Sequence, residues 1–229
     1  MTKFAFEVPL AHLEDFDQYQ DLIFALSFLC EDPHYVKYIE RNRKGRTLII
    51  DNSYNELGIP DSSDEMARLF CELNADFVIC PDSDSWNLEQ LRNTYRKMIS
   101  LVPREKVLVV VKSKEEGDMF FNEGAFYYCT TYEQRKKLPE SVKNLCYHFL
   151  GLIDPWEIKR YSPISCDTSM PIKLALQGRT ILDWIKDGCP HLKTTPDFFN
   201  LTLTKEQLKL ALENTAWIHN NLTRVNYVP

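Results

Sequence analysis

The stretch KVLVVVK, residues 106–112, is apolar from its second residue until it closes on Lys112. A strand with one wet face alternates polar and apolar residues. This one does not, so both of its faces are covered, as in a parallel sheet packed by helices. Similar runs recur on either side of it. KFAFEVPL (3–10) reads as a strand ended by Pro9. RTLIID (46–51), ADFVIC (75–80), AFYYC (125–129), NLCYHFLGL (144–152) and PISC (163–166) also read as strands. Helix-type stretches separate them. DQYQDLIFALSFLC (17–30) and PHYVKYIERNRK (33–44) read as helices, the second with Pro33 in its first turn. SSDEMARLFCELN (62–74) places Met66, Leu69, Phe70 and Leu73 at helical spacing behind a Ser/Asp start. SWNLEQLRNTYRKMISL (85–101), KEEGDMFFNEG (114–124), YEQRKKL (132–138), PWEIKRY (155–161) and SMPIKLALQG (169–178) complete the series.

Seven β/α units result, with FFNLTL (198–203) as an eighth strand and 204–222 as a closing helix capped by Thr204. The expectation is one (β/α)8 TIM-type barrel, trimmed or irregular, spanning residues 1–229 as a single domain.

Composition narrows the function. Hydrophobic residues make up 44% and charged residues 26% of 229, enough for a sizeable core. Only seven glycines are present, and no G-x-G-x-x-G follows a strand, which removes the usual dinucleotide site. A net charge of −6 argues against a broad basic surface, but not against an enzyme with a local basic groove. No apolar run approaches the roughly 18 residues of a membrane span. The first residues, MTKFAFEVPLAHLEDF, lack the apolar core of a signal peptide. A soluble cytoplasmic protein without a membrane partner is expected. The cysteines, at 30, 71, 80, 129, 146, 166 and 189, form no C-x-x-C and read as reduced, mostly buried thiols.

In a parallel barrel, chemistry sits at the C-terminal ends of the strands. Those ends carry Asp51, Asp82 with Asp84, Lys112, Gly151 with Asp154, and Asp167. An aspartate after a strand is also a common helix cap, which is the other use open to Asp82, Asp84 and Asp154. Carboxylates that face one another split their pKa values, giving an ionised group and a protonated one, as glycoside chemistry needs. Clustered acids equally suit a divalent metal, with His148 near its strand end as an added ligand. Lys112 is open to three uses: a solvated lysine, a phosphate contact, or a Schiff-base amine in an aldolase or lyase. Tyr54, Trp86, Tyr127, Tyr128 and Trp156 fall near strand ends, where rings can stack on a base.

Four of these motifs, taken in order, resemble the tRNA-guanine transglycosylase superfamily with its DNA-acting relatives. They are Asp51 in DNSYNELG, Asp82 in ICPDSDSWN, Gly151 in GLIDP and Asp167 in DTSMP. The likeness runs from about residue 4 to residue 180. It departs at Ser53-Tyr54, where the family has Gly-Gly, and in lacking the family's C-terminal zinc ligands. The resemblance implies a base N-glycosylase or transglycosylase acting on modified DNA, as in phage and antiphage relatives, with no cofactor and no metal. tRNA-type base exchange and a metal-dependent hydrolase stand as alternatives. Asp167 would be the nucleophile and Asp51 the proton relay. Asp82, Gly151, Asn52, Tyr54, Lys112 and Trp86 would bind the base, and DNA rather than tRNA would be the partner.

Overall fold

The computed structural model describes residues 1–151, 154–192 and 195–222. Eight strands alternate with helices: β1 (Lys3–Phe6), β2 (Leu22–Leu26), β3 (Thr47–Asp51), β4 (Phe77–Ile79), β5 (Val107–Val110), β6 (Tyr127–Thr131), β7 (Cys146–Leu150) and β8 (Ser165–Thr168). Their order in the sheet is β1-β8-β7-β6-β5-β4-β3-β2, with β1 beside β8 and β2 to β6 in succession, all parallel. This is a (β/α)8 TIM-type barrel with a closing C-terminal helix. The chain groups into two compact units, residues 22–148 and residues 1–21 with 149–229.

In the unit 22–148, every residue of β5 is buried, as the unbroken apolar run requires. The helix starts obey local chemistry. Asp32 accepts from the His34 amide at 2.7 Å ahead of the helix Pro33–Asn42. Ser62 accepts from the Glu65 amide at 3.1 Å ahead of Ser63–Glu72. Asn87 and Gln90 exchange bonds in a capping box ahead of Leu88–Leu101.

One reading fails here. Residues 17–30 are not a helix but β2, flanked by 3-10 turns at Asp17–Tyr19 and Ser27–Glu31. All five residues of β2 are buried, and a strand buried on both faces has the same apolar pattern as a buried helix segment. β2 is therefore the eighth strand. The stretch 198–203 supplies none: it is a 3-10 turn, Phe198–Asn200, followed by irregular chain.

In the unit 1–21 with 149–229, Ala5 lies opposite Asp167 and Phe6 opposite Thr168. β8 runs two residues further than PISC implied, so Asp167 lies inside the strand rather than after it. β1 ends at Phe6, four residues short of the 3–10 reading, and Glu7 becomes a strand-end residue. The closing helix, Lys205–Leu222, packs on the helix Met170–Leu176. Thr204 and Gln207 cap it reciprocally, at 3.2 and 3.0 Å. Buried Asn214 fixes the packing: its Oδ1 accepts from the Ile181 amide at 2.8 Å, and its Nδ2 donates to the carbonyls of Arg179 at 3.1 Å and Pro171 at 3.3 Å.

Asn214→Ala strands those buried groups. It should cost about 2–4 kcal/mol, since each buried group left unpaired costs about 1–3 kcal/mol. Urea denaturation of the two proteins reads this directly.

Candidate functional site

The ends of β4 and β5 are neighbours, and the β4–β5 and β5–β6 ladders both continue beyond the regular strands. The Cys80 amide bonds the Leu108 carbonyl at 2.8 Å, and the Val111 amide bonds that of Cys129 at 2.9 Å. The next residues, Pro81-Asp82 and Lys112, are thereby brought together. Lys112 Nζ lies 2.6 Å from Asp82 Oδ2 and 2.7 Å from Asp84 Oδ1. Both contacts are close ion pairs, so the ammonium is held between two carboxylates. The Lys112 side chain is only 12% exposed, Asp82 7% and Asp84 66%. Burial alone would push the ammonium pKa down. Asp82 and Asp84 outweigh it and hold Lys112 above the ordinary lysine range. Lys112 is thus a partly desolvated cation at a strand end.

The two aspartates differ. Asp82 is engaged at both oxygens, since its Oδ1 accepts from Asn52 Nδ2 at 2.8 Å. Asp84 meets Lys112 through one oxygen and presents the other to solvent. Neither is a helix cap. Asn52, 2% exposed, also donates to the Cys80 carbonyl at 3.0 Å and accepts from the Tyr54 amide at 3.0 Å, so its amide is rigidly placed. Tyr54 Oη accepts from the Asp84 amide at 3.1 Å, and its ring centre lies 5.2 Å from Lys112 Nζ. Lys112, Asp82, Asn52 and Tyr54 therefore meet as one constellation. Asp51 belongs to the turn beneath: its Oδ2 accepts from the Ser53 amide at 2.8 Å. Ser53 takes φ +55°, and a short helix, Tyr54–Leu57, begins at once. Trp86 is half-buried in the following turn, its amide on the Ser83 carbonyl at 3.2 Å. Tyr127 and Tyr128 open β6 instead of ending it, and Tyr127 packs with Phe77 and Tyr147.

Sequence reasoning missed Glu116. It sits in the first turn of the helix Lys114–Asn122, where Ser113 accepts from its amide at 3.2 Å. Its own Oε2 accepts from the Lys112 amide at 2.8 Å. Burial raises its pKa. The Lys112 amide and charge oppose this, Asp82 and Asp84 add to it, and the net shift is upward. The S-x-x-E spacing of Ser113 and Glu116 was the available signal, and it reads as a capping box.

The other unit carries a second constellation. Asp167, 2% exposed, accepts the Gly151 amide at both oxygens, at 3.2 and 3.0 Å. Gly151 has φ +75°, a conformation that suits glycine and aims its N–H at Asp167. The Glu7 side chain hydrogen-bonds Asp167 and Ser169. Burial first, then the Asp167 charge, push the Glu7 carboxyl up to about 8 against the pull of Lys173 and Ser169. Glu7 therefore carries a proton at neutral pH. Sequence reasoning missed it because β1 was drawn through to Leu10. Asp154 is a helix cap, accepting from the Trp156 amide at 2.8 Å. Leu152, within the GLIDP motif, lies outside the described residues.

Among the described residues, no group of three or more His, Cys, Asp or Glu side chains is placed to hold an ion. Asp82 and Asp84 face a lysine ammonium instead. His148 is fully buried, and its pKa is lowered to about 3 by burial and by Arg135. It stacks on Phe24 with ring centres 5.0 Å apart. The metal-dependent hydrolase reading is withdrawn on this geometry. No helix among the described residues is long and apolar enough to cross a membrane.

No protein-family model matches the chain, and no curated protein matches it in sequence. Solved structures do. N-acetylneuraminate lyase from Fusobacterium nucleatum, complexed with pyruvate, matches with TM-score 0.52 at 10% identity, over 91% of this chain and 88% of that one. CdNal from Clostridium difficile, in complex with mannosamine, matches with TM-score 0.51 at 12% identity, over 91% and 90%. A sugar phosphate isomerase/epimerase from Parabacteroides distasonis matches with TM-score 0.50 at 6% identity, over 99% and 100%. At such identities the likeness is one of fold.

These findings overturn the transglycosylase resemblance. The chain has no sequence-family support for it, and its structural likeness is to barrels with lyase and isomerase names. The glycosylase and base-exchange activities, on DNA or on tRNA, are withdrawn with it.

Glu7 has a measurable consequence. Between pH 4.5 and about 8 the folded chain keeps a proton that the unfolded chain has lost. Stability therefore falls as pH rises through that window. Glu7→Gln removes this loss, on the order of 3 kcal/mol after allowance for the partial exposure of Glu7. Urea denaturation at pH 5 and pH 9 should show a smaller decline for the variant. Equal declines would mean that Glu7 is ionised in the folded protein.

Proposed function

We propose that the protein is an enzyme of proton transfer next to a carbonyl group. It would be a lyase or isomerase acting on a small oxygenated substrate such as an oxo acid or a sugar. One observation carries this reading: the largely buried Lys112 cation at the end of β5, held between two aspartates. Barrels of similar fold include one named as a lyase, complexed with pyruvate, one in complex with mannosamine, and one named as an isomerase/epimerase, which supports the substrate class.

The roles follow from the geometry. A substrate carbonyl oxygen accepts an N–H of Lys112, and the ammonium stabilises the oxyanion that develops when the adjacent carbon loses its proton. Asp84 offers the oxygen that takes this proton, because its second oxygen is uncommitted and solvent-facing. Asp82 has no such oxygen to give. Fixed by Asn52, it keeps Lys112 charged and in place. A Schiff-base amine must be neutral to attack a carbonyl. The two aspartates hold Lys112 protonated, so it serves as a cation rather than as a nucleophile.

The test is solvent-deuterium exchange. Pyruvate, other 2-oxo acids, aldoses and ketoses are incubated with the protein in D2O and followed by proton NMR. At least one should exchange its hydrogen next to the carbonyl. Lys112→Met should slow this about 100-fold or more, the usual loss when a group stabilising an oxyanion is removed. Exchange unchanged in Lys112→Met would sink the assignment. Borohydride with pyruvate at pH 7 should leave Lys112 unmodified; an adduct there would replace the cation role with an imine.

A further inference from the structure

We propose that Arg92, Arg96 and Arg104 form a binding site for a doubly charged phosphoryl group, carried by inorganic phosphate or by a small phosphate ester. The site lies at the amino-terminal ends of β5 and β6, away from Lys112, and is independent of the function proposed above.

Three elements of the unit 22–148 meet there. The helix Leu88–Leu101 carries Arg92 and Arg96 four residues apart, on one face. Arg104 opens the 3-10 turn Arg104–Lys106, which leads into β5. Glu123 caps the end of the helix Lys114–Asn122, and Gly124 follows it ahead of β6. Arg96 grips Glu123 as a fork: its Nε donates to Oε2 and its Nη2 to Oε1, each at 2.8 Å. Arg92 Nε lies 3.1 Å from the same Oε1. Arg104 is held differently. Its Nη1 lies 2.8 Å from where a Cβ on Gly124 would stand, so the guanidinium rests against a residue without a side chain. Among the described residues, no hydrogen bond or ion pair engages that guanidinium.

The charges around it do not balance. Three guanidiniums face one carboxylate. Arg96 first, then Arg92 and Arg104, hold Glu123 below the usual carboxylate range. Glu89 and Glu105, close by in sequence, form no ion pair with the arginines. The helix end at Glu123 adds about half a negative charge, which leaves an excess of about one and a half positive charges. The bland use of the cluster is a clamp, in which cations settle a helix end and the Arg96 fork ties two helices together. That accounts for Arg92 and Arg96. An arginine with no anion to meet would extend into water, away from two like charges. Arg104 instead lies against Gly124, beside Glu123.

A tetrahedral dianion completes the cluster. The planar guanidinium fork matches two phosphate oxygens at once. Arg104 offers its whole fork, and Arg92 both of its Nη groups. A carboxylate fits one fork but carries half the charge.

Binding is followed by phosphorus NMR at low ionic strength. Inorganic phosphate should bind with a Kd of roughly 1 mM, the strength of two or three charge-assisted hydrogen bonds. Arg104→Gln and Arg92→Gln should each weaken it about tenfold or more. Lys112→Met, about 20 Å away at the far end of β5, should leave it unchanged. Glycerol phosphate separates the two sources: tighter binding than inorganic phosphate assigns the site to an ester, weaker binding to the free ion. Wild-type protein is also treated with phenylglyoxal, which modifies arginine, and its peptides are read by mass spectrometry. Phosphate should slow modification of Arg104 severalfold, and acetate at equal concentration should not. This second measurement needs no variant to fold.

The inference is overturned if phosphate does not bind, or if Arg104 is modified equally fast with and without it. Acetate that protects as well as phosphate also overturns it. Binding unchanged in both arginine variants means an adventitious ion only. Binding lost in Lys112→Met but kept in Arg104→Gln moves the anion to Lys112 and removes this site.

Discussion

A lysine ammonium can be buried at a strand end only if negative charge is built in beside it. Isolated, it would lose its proton or keep the strand end open to water. Here the sheet supplies the partner. The β4–β5 ladder runs on to Cys80 and the β5–β6 ladder to Val111, and just beyond those positions come Asp82 and Lys112. The pairing is set by hydrogen bonds between main chains and not by a loop free to drift. Asn52, from the end of β3, then pins the aspartate from the other side. Three consecutive strand ends therefore fix one cation. A buried pair of this kind contributes little net stability, because desolvation offsets attraction. Its value lies in holding a charge where chemistry can use it.

The other unit meets the same difficulty differently. Glu7 and Asp167 sit at the ends of neighbouring strands and bring two carboxyl groups into contact. Burial and the Asp167 charge outweigh the pull of Lys173, and the pair keeps a proton. Gly151 then supplies its N–H to both oxygens of Asp167, which a residue confined to negative φ would not present so readily. One seam thus stores a positive charge between acids, and the other stores a proton between acids. Both are means of keeping carboxylates at strand ends without an ion.

Much of the fold was legible in the sequence, because most elements announce themselves locally. The unbroken KVLVVVK run, the Ser62 start and the Thr204 cap each say what they form. β2 did not, because five buried apolar residues between 3-10 turns carry no period that separates strand from helix. That error displaced the eighth strand to 198–203. At the site, Asp82, Lys112 and Asp167 were found simply as strand ends. Glu7 escaped because a boundary was drawn four residues late, and Glu116 because its spacing reads as a cap. The role given to Asp82 changed for a reason no linear reading supplies. Whether a carboxylate is available depends on what its two oxygens already touch.

The division of the chain into a contiguous unit and a split one bears on how the protein is made. Residues 22–148 leave the ribosome in one piece and hold five successive strands that pair with their immediate neighbours. The first 21 residues must wait for β8, more than 140 residues downstream, before β1 has its partner. The His12 ring, which accepts the Leu203 amide at 2.9 Å, must wait longer still. During synthesis β1 is an unmatched edge until β8 has been made.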